Sequence, residues 1–266
     1  MENIEMMIVR YVDETKQARF QARYGVVEDG HVRAASGDPF TGVEPGETIG
    51  TMDDLTLLPP VQPGKIVCVG LNYAAHVTEN DASREIPAEP VLFMKPNSAL
   101  IGHGGTIEIA NPANRTDFEA ELALVIGKVA RDVSEEEAAD YVLGITAAND
   151  VSDRVLQKQD GQWVRAKGYD TYCPAGPVLV TGVDLTRGDI TVESRLNGEV
   201  RQSQSTGSML FSPLFLVSFI SRVMTLDPGD LILTGTPENV GPMTPGDMIE
   251  VEVGPVGILR NLVAAR

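Results

Sequence analysis

Apolar and polar positions alternate over short stretches of this chain, and few stretches repeat with a helical period. Residues 118–127 show the clearest alternation. Phe118, Ala120, Leu122, Leu124 and Ile126 fall on one side of a strand, with Glu119, Glu121, Ala123 and Val125 on the other. The apolar runs 65–70 and 91–94 read as buried strands, and partial alternation recurs in 142–150, 178–184, 189–196 and 248–253. Asp29-Gly30 sits at the turn of a hairpin over 22–35, and Asn197-Gly198 marks a second hairpin. The Gly-, Pro- and Thr-rich stretch that follows the first hairpin, to about residue 50, reads as a loop. Residues 58–64, with three prolines, read as a boundary. Helical patterns are confined to about two turns within 72–80, to 134–141 with Ser134 as N-cap, and to 212–224 with Pro213 in the first turn. The balance predicts an α+β, predominantly β fold of Greek-key or roll type. It divides into a small N-terminal β domain (1–58) and a main body (59–266).

Composition narrows what such a domain can do. The 266 residues carry 38 acids against 21 bases, a formal charge of −17. That excess repels phosphate, so general nucleic-acid binding and adsorption to anionic membranes are excluded. Two cysteines make neither a disulfide framework nor a four-cysteine zinc site, and they fit a reducing cytoplasm. Acids Glu2 and Glu5 stand where a signal peptide carries bases, and no apolar run approaches the roughly 18 residues of a membrane span. A cytoplasmic location is expected. Six lysines against 15 arginines suit either a salt-adapted surface or a GC-rich genome.

Candidate chemistry begins with the carboxylates. Glu119 and Glu121, two positions apart on one strand face, lie some 6–7 Å from each other and repel. Asp150 ends the apolar stretch 143–149. Three carboxylates without a His or Cys cluster make a hard, all-oxygen donor set, suited to Mg²⁺ or Mn²⁺, with Ca²⁺ possible, and unsuited to Zn²⁺. An ordinary solvated acidic face is the alternative. Four of the 21 bases fall within 154–167, whereas 223–259 has six acids and no base. Positive charge thus gathers just after Asp150, where it suits an anionic substrate or a solvated basic turn. Trp163, the only tryptophan, reads as a packing residue. Glu79 follows His76 by three positions, on one helix face, and so orients the imidazole as a base or forms an incidental surface pair. His31 reads as a surface residue and His103 as structural. No Gly-x-Ser-x-Gly elbow, P-loop or dinucleotide fingerprint is present.

The segments 69–79, 92–96, 117–122, 149–154, 162–171 and 234–237, in that order, resemble the fumarylacetoacetate hydrolase family over roughly 60–265. Residues 1–58 resemble the small N-terminal region of these proteins only loosely. The resemblance implies a mixed β-sandwich roll and a homodimer. It places metal ligands at Glu119, Glu121 and Asp150, a general-base pair at His76 and Glu79, and a lid over 80–90. Lys167 is a catalytic candidate, and substrate contacts fall on Arg154, Gln157, Gly235 and Thr236. Asp117 need not bind metal. The implied activity is metal-dependent C–C hydrolysis of acylpyruvate-type 2,4-dioxo acids through an enolate. Isomerisation of a hydroxyheptadienedioate or carboxymethyl-hydroxymuconate, and decarboxylation of oxaloacetate, pass through the same enolate. A non-enzymatic, metal-stabilised binding protein is the alternative outside catalysis; it makes His76, Glu79 and Lys167 incidental.

Overall fold

Short alternating segments cannot bury an apolar face alone, and here they do so by stacking into sheets. The computed structural model describes residues 5–13, 21–79 and 81–266. Glu2 and Asn80, the first residue of the expected lid, lie outside the described residues. A 12-stranded sheet runs, in spatial order, Gly42–Gly50, His31–Asp38, Gln21–Glu28, Met7–Asp13, Cys173–Thr181, Val142–Asn149, Ala120–Ile126, Leu231–Leu233, Ile66–Gly70 and Val91–Lys95. Two short strands, Leu57–Leu58 and Leu100–Ile101, pair beside this path. The N-terminal strands continue this sheet, because Met7 and Ile8 pair with Val180 and Leu179. A five-stranded sheet packs against its centre, in the order Glu199–Ser205, Thr191–Leu196, Met248–Val253, Gly257–Ala265 and Thr106–Ile109. The result is the mixed, predominantly β architecture expected. No helix among the described residues is long and apolar enough to cross a membrane.

The alternation assigns the core. Leu122, Leu124 and Ile126 face Val192, Val251 and Leu259 between the two sheets, whereas Ala123 and Val125 pack on the other side with Ile66, Cys68 and Leu231. The 118–127 strand is nevertheless broken at Glu119. Thr116–Phe118 pairs with Ser152–Asp153 and Gly241–Pro242 in a third small sheet, while Ala120–Ile126 belongs to the large one. Glu119 therefore sits where the chain changes sheets. Its N–H donates to Asn149 Oδ1 (2.9 Å), and its carbonyl accepts from Asp150 N (2.9 Å).

Three further expectations change. The supposed loop before residue 50 is the edge strand Gly42–Gly50, paired with His31–Asp38. An edge strand has one unpaired side, so Pro45 costs no ladder bond there. The 134–141 helix reduces to a turn and the 3₁₀ segment Ala138–Tyr141. Ser134 and Glu137 exchange the capping bonds, but eight residues do not offset helix nucleation before the strand starts at Val142. The helix within 72–80 shortens to Ala74–Thr78 because Asn72 is held elsewhere. Its buried amide donates to Phe211 O (3.0 Å) and Thr234 O (2.7 Å) and accepts from Phe211 N (2.8 Å). Both hairpins form as expected, with positive φ at Asp29, Gly30, Asn197 and Gly198. The helix Pro213–Val223 starts on Ser212, whose Oγ accepts from Phe215 N. His31 is exposed, and His103 Nδ1 accepts from Arg260 N.

Candidate active site

The sheet change at Glu119 places its carboxylate beside two others. Glu119, Glu121 and Asp150 are all buried and present oxygens within 4.8 Å of one another. Three such groups in a low-dielectric interior need cations. Lys167 ends the short helix Val164–Lys167, and its Nζ donates to Glu119 Oε2 (2.8 Å) and Asp150 Oδ2 (2.5 Å). Lys95, at the end of its strand, donates Nζ to Asp150 Oδ1 (2.5 Å) and Val151 O (3.1 Å). Arg154 opens the helix Arg154–Asp160, which Asp153 caps. Its guanidinium pairs with Glu119 Oε1 (2.6 Å) and Asp117 Oδ2 (2.8 Å) and donates to Gln157 Oε1 (2.9 Å). Asp117 is held by Arg115 on its other side, so both its oxygens are taken by guanidiniums.

These contacts split the carboxylates electrostatically. Burial pushes the Glu119 carboxyl up, but Arg154, Lys167 and His76 outweigh it and hold the group below the usual carboxylate range. Burial, Asp150 and Glu119 together drive Glu121 well above that range. Burial opposes the charge of Lys167, yet Asp150 and Glu119 carry it above the usual lysine range. Glu121 Oε2 accepts one bond, from Gly235 N (2.6 Å), and has no ion-pair partner among the described residues. A buried, all-oxygen triad with one uncompensated member fits a hard divalent cation.

The triad lies in a cavity of about 390 Å³ that is also lined by His76, Arg154, Gln157, Lys167 and Thr236. His76 Nδ1 lies 3.2 Å from Glu79 Oε2, while Glu79 Oε1 accepts from Asn239 N (2.8 Å). Glu79 thus stands behind the imidazole and does not line the cavity. Gly235 is also absent from the lining. It has φ +101°, and a Cβ there would come within 2.7 Å of Asn72 Cβ, so it brings its N–H to Glu121 where a larger residue would clash. Trp163, expected only to pack, both lines the cavity and meets Phe93 edge to face at 5.2 Å.

Two supporting residues escaped sequence reasoning. Lys95 closes an apolar strand, and a lysine in such a position, followed by Pro96, was the available signal. Gln202 gave none: it is the one buried residue on a strand whose other residues are exposed or half-buried. Its Oε1 accepts from Ala120 N and Ser194 Oγ, both at 3.0 Å. Its Nε2 donates to Thr236 Oγ1 (2.9 Å) and Pro237 O (2.7 Å). It therefore ties the strand between the two glutamates to the Thr236 loop. Gln202→Leu strands the buried Ala120 N–H and Pro237 carbonyl, and is expected to cost roughly 2–4 kcal/mol in urea unfolding. An unchanged unfolding midpoint would show those bonds to be dispensable.

Residues 65–264 match the family described as fumarylacetoacetate (FAA) hydrolase C-terminal, and residues 6–60 match the one described as Rv2993c-like, N-terminal. A protein of Archaeoglobus fulgidus is 48% identical over 204 residues, covering 77% of this chain and 80% of that one. Oxaloacetate tautomerase YisK of Bacillus subtilis is 39% identical over 231 residues, covering 83% and 77%. The crystal structure of 2-hydroxyhepta-2,4-diene-1,7-dioate isomerase from Mycobacterium marinum superposes with a TM-score of 0.86 at 39% identity, covering 98% and 99%.

Proposed function

The chain belongs to the fumarylacetoacetate hydrolase family, and from that premise we propose that it enolises a 2-oxo acid. The 2-oxo oxygen takes up the charge of an enolate, formed by loss of a proton in tautomerisation and isomerisation, or by addition of water at carbon 4 and rupture of the C3–C4 bond in cleavage. Isomerisation, tautomerisation and C–C cleavage share this enolate. The observation that carries the reading is that His76 and the Glu119, Glu121 and Asp150 triad line one cavity. When bound by that triad, Mg²⁺ or Mn²⁺ would supply Lewis-acid stabilisation of the enolate oxygen.

The chain's own groups do the rest. Arg154, with Gln157 bonded to it, offers guanidinium N–H donors for the substrate carboxylate. With Nδ1–H donated to Glu79, the imidazole of His76 keeps its Nε2 lone pair for a proton. The Asn239 N–H fixes Glu79 and hence that tautomer. Lys167 and Thr236 provide donors for an oxyanion at the far carbonyl of a dioxo acid.

Two outcomes of the enolate are supported by different observations. The tautomerase and isomerase named among the relatives favour proton transfer alone. The oriented His76–Glu79 pair equally suits activation of water for acylpyruvate hydrolysis. A panel of acetylpyruvate, fumarylpyruvate, oxaloacetate and 2-hydroxyhepta-2,4-diene-1,7-dioate, with Mg²⁺, separates them by product. Turnover of at least one, lost on chelation, is expected. No turnover of any, together with no exchange of carbon-3 protons in D₂O, would overturn the reading.

A further inference from the structure

Lys167 touches more than its two carboxylates. An ammonium has three N–H donors, and Glu119 Oε2 (2.8 Å) and Asp150 Oδ2 (2.5 Å) take two of them. Among the described residues no third acceptor lies within hydrogen-bond reach. Two aromatic rings stand there instead. Lys167 Nζ lies over the Phe93 ring, 4.8 Å from its centre, and over the Trp163 ring, 5.8 Å from its centre. The lysine side chain is only 3% exposed, so both contacts are made largely out of water, where a cation–π contact is strongest.

Local structure brings the rings to this point. Trp163 stands at the start of the helix Val164–Lys167, and Lys167 N donates to Trp163 O (3.0 Å), so the two side chains share one face a turn apart. Phe93 shares a face of the strand Val91–Lys95 with Lys95, which holds the other oxygen of Asp150. The two rings meet edge to face. Behind the indole is Gly70, where a Cβ would come within 2.6 Å of the Trp163 ring. The indole therefore occupies space that any other residue at position 70 would claim.

The two lysines on Asp150 are anchored differently. Lys95 also donates to the Val151 carbonyl and does not line the cavity, whereas Lys167 does line it. Both oxygens that Lys167 holds belong to the carboxylate triad, and a divalent cation there competes for them. The two rings are contacts that a cation does not contest. We propose that Phe93 and Trp163 are positioning residues for Lys167: their faces keep its ammonium at the cavity wall, as a donor to a substrate oxygen, while the carboxylates serve the cation. This rests on the 2-oxo acid reading above and adds what fixes Lys167 within that site.

Two measurements on the Mg²⁺-loaded protein test it. The first locates the lysine. Aromatic ring currents move protons above a ring face upfield, and the chain has only six lysines. NMR with ¹³C-labelled lysine is expected to show the Lys167 ε-methylene protons upfield of the rest, identified by their loss in Lys167→Met. The displacement should shrink in Phe93→Leu and in Trp163→Leu. The second measurement is titration calorimetry with acetylpyruvate. Trp163→Leu, and Gly70→Ala, which displaces the indole, should each weaken binding about threefold to thirtyfold, the range of one cation–π contact. Trp163→Phe restores a ring face and should recover most of that loss. In the Lys167→Met background Trp163→Leu should cost nothing further, because the ring acts through the lysine. An equal loss in both backgrounds, or Lys167 ε-methylene protons that are not displaced upfield in the parent, would overturn the positioning role while leaving the 2-oxo acid reading in place. No binding of acetylpyruvate by the parent would instead overturn that reading, and the proposal with it.

Discussion

Glu121→Gln is expected to remove cation-dependent turnover and to leave the fold intact. Glu121 is the triad member with no basic partner, and its neighbours Asp150 and Glu119 repel it. A glutamine of the same shape still accepts the Gly235 N–H and relieves the repulsion. Unfolding in the presence of a chelator should therefore occur at an unchanged or higher temperature. Activity responds in the opposite sense. Lewis-acid stabilisation supplies several kcal/mol, so kcat/KM should fall about a thousandfold. Titration calorimetry should show weakened Mg²⁺ binding in the same variant. Asp150→Asn makes the contrast, because it leaves Lys95 and Lys167 partly unpaired in the interior and should lower the unfolding temperature. If Glu121→Gln kept turnover within tenfold of the parent, and remained sensitive to chelation, the cation would have to be held without Glu121.

The residues of this site differ in how plainly the sequence announces them. Glu119 and Glu121 stand out because strand alternation puts two charges on a face that continues as Ala123 and Val125, and the structure buries both. Asp150 was visible at the end of an apolar stretch. The break at Glu119 was not, because a chain crossing between sheets keeps its alternation and only its partners change. The same limit hid the edge strand Gly42–Gly50, whose Gly and Pro content is that of a loop and whose strand character comes from its neighbour. Asn72 and Gln202 were invisible for a related reason. Each satisfies at least one backbone group more than 80 residues away in the chain, and no local pattern encodes that partner. The cluster of bases over 154–167 was legible as charge but not as direction. Arg154 and Lys167 turn inward to carboxylates, Arg165 pairs with Asp160, and Lys158 is left at the cavity mouth.

His76→Asn is expected to lower kcat between about a hundredfold and ten thousandfold, the range for loss of a general base. Asparagine can still donate to Glu79 Oε2, so the link from the helix Ala74–Thr78 through Glu79 to Asn239 survives while the proton acceptor is gone. Glu79→Gln tests the orienting half of the pair. Its amide oxygen can keep the Asn239 N–H, but its NH₂ then faces Nδ1 and favours the opposite tautomer, with Nε2 protonated. A loss similar in size to that of His76→Asn follows, with the imidazole still in place. The step that His76 serves is read from carbon-3 proton exchange in D₂O, followed by NMR alongside product formation. If His76 moves the carbon-3 proton, exchange and turnover fall together in His76→Asn. If it activates water for C–C cleavage, exchange persists while cleavage stops. Turnover of His76→Asn within a few fold of the parent would sink both roles and leave the His76–Glu79 pair as a tether between the helix and the 236–240 loop.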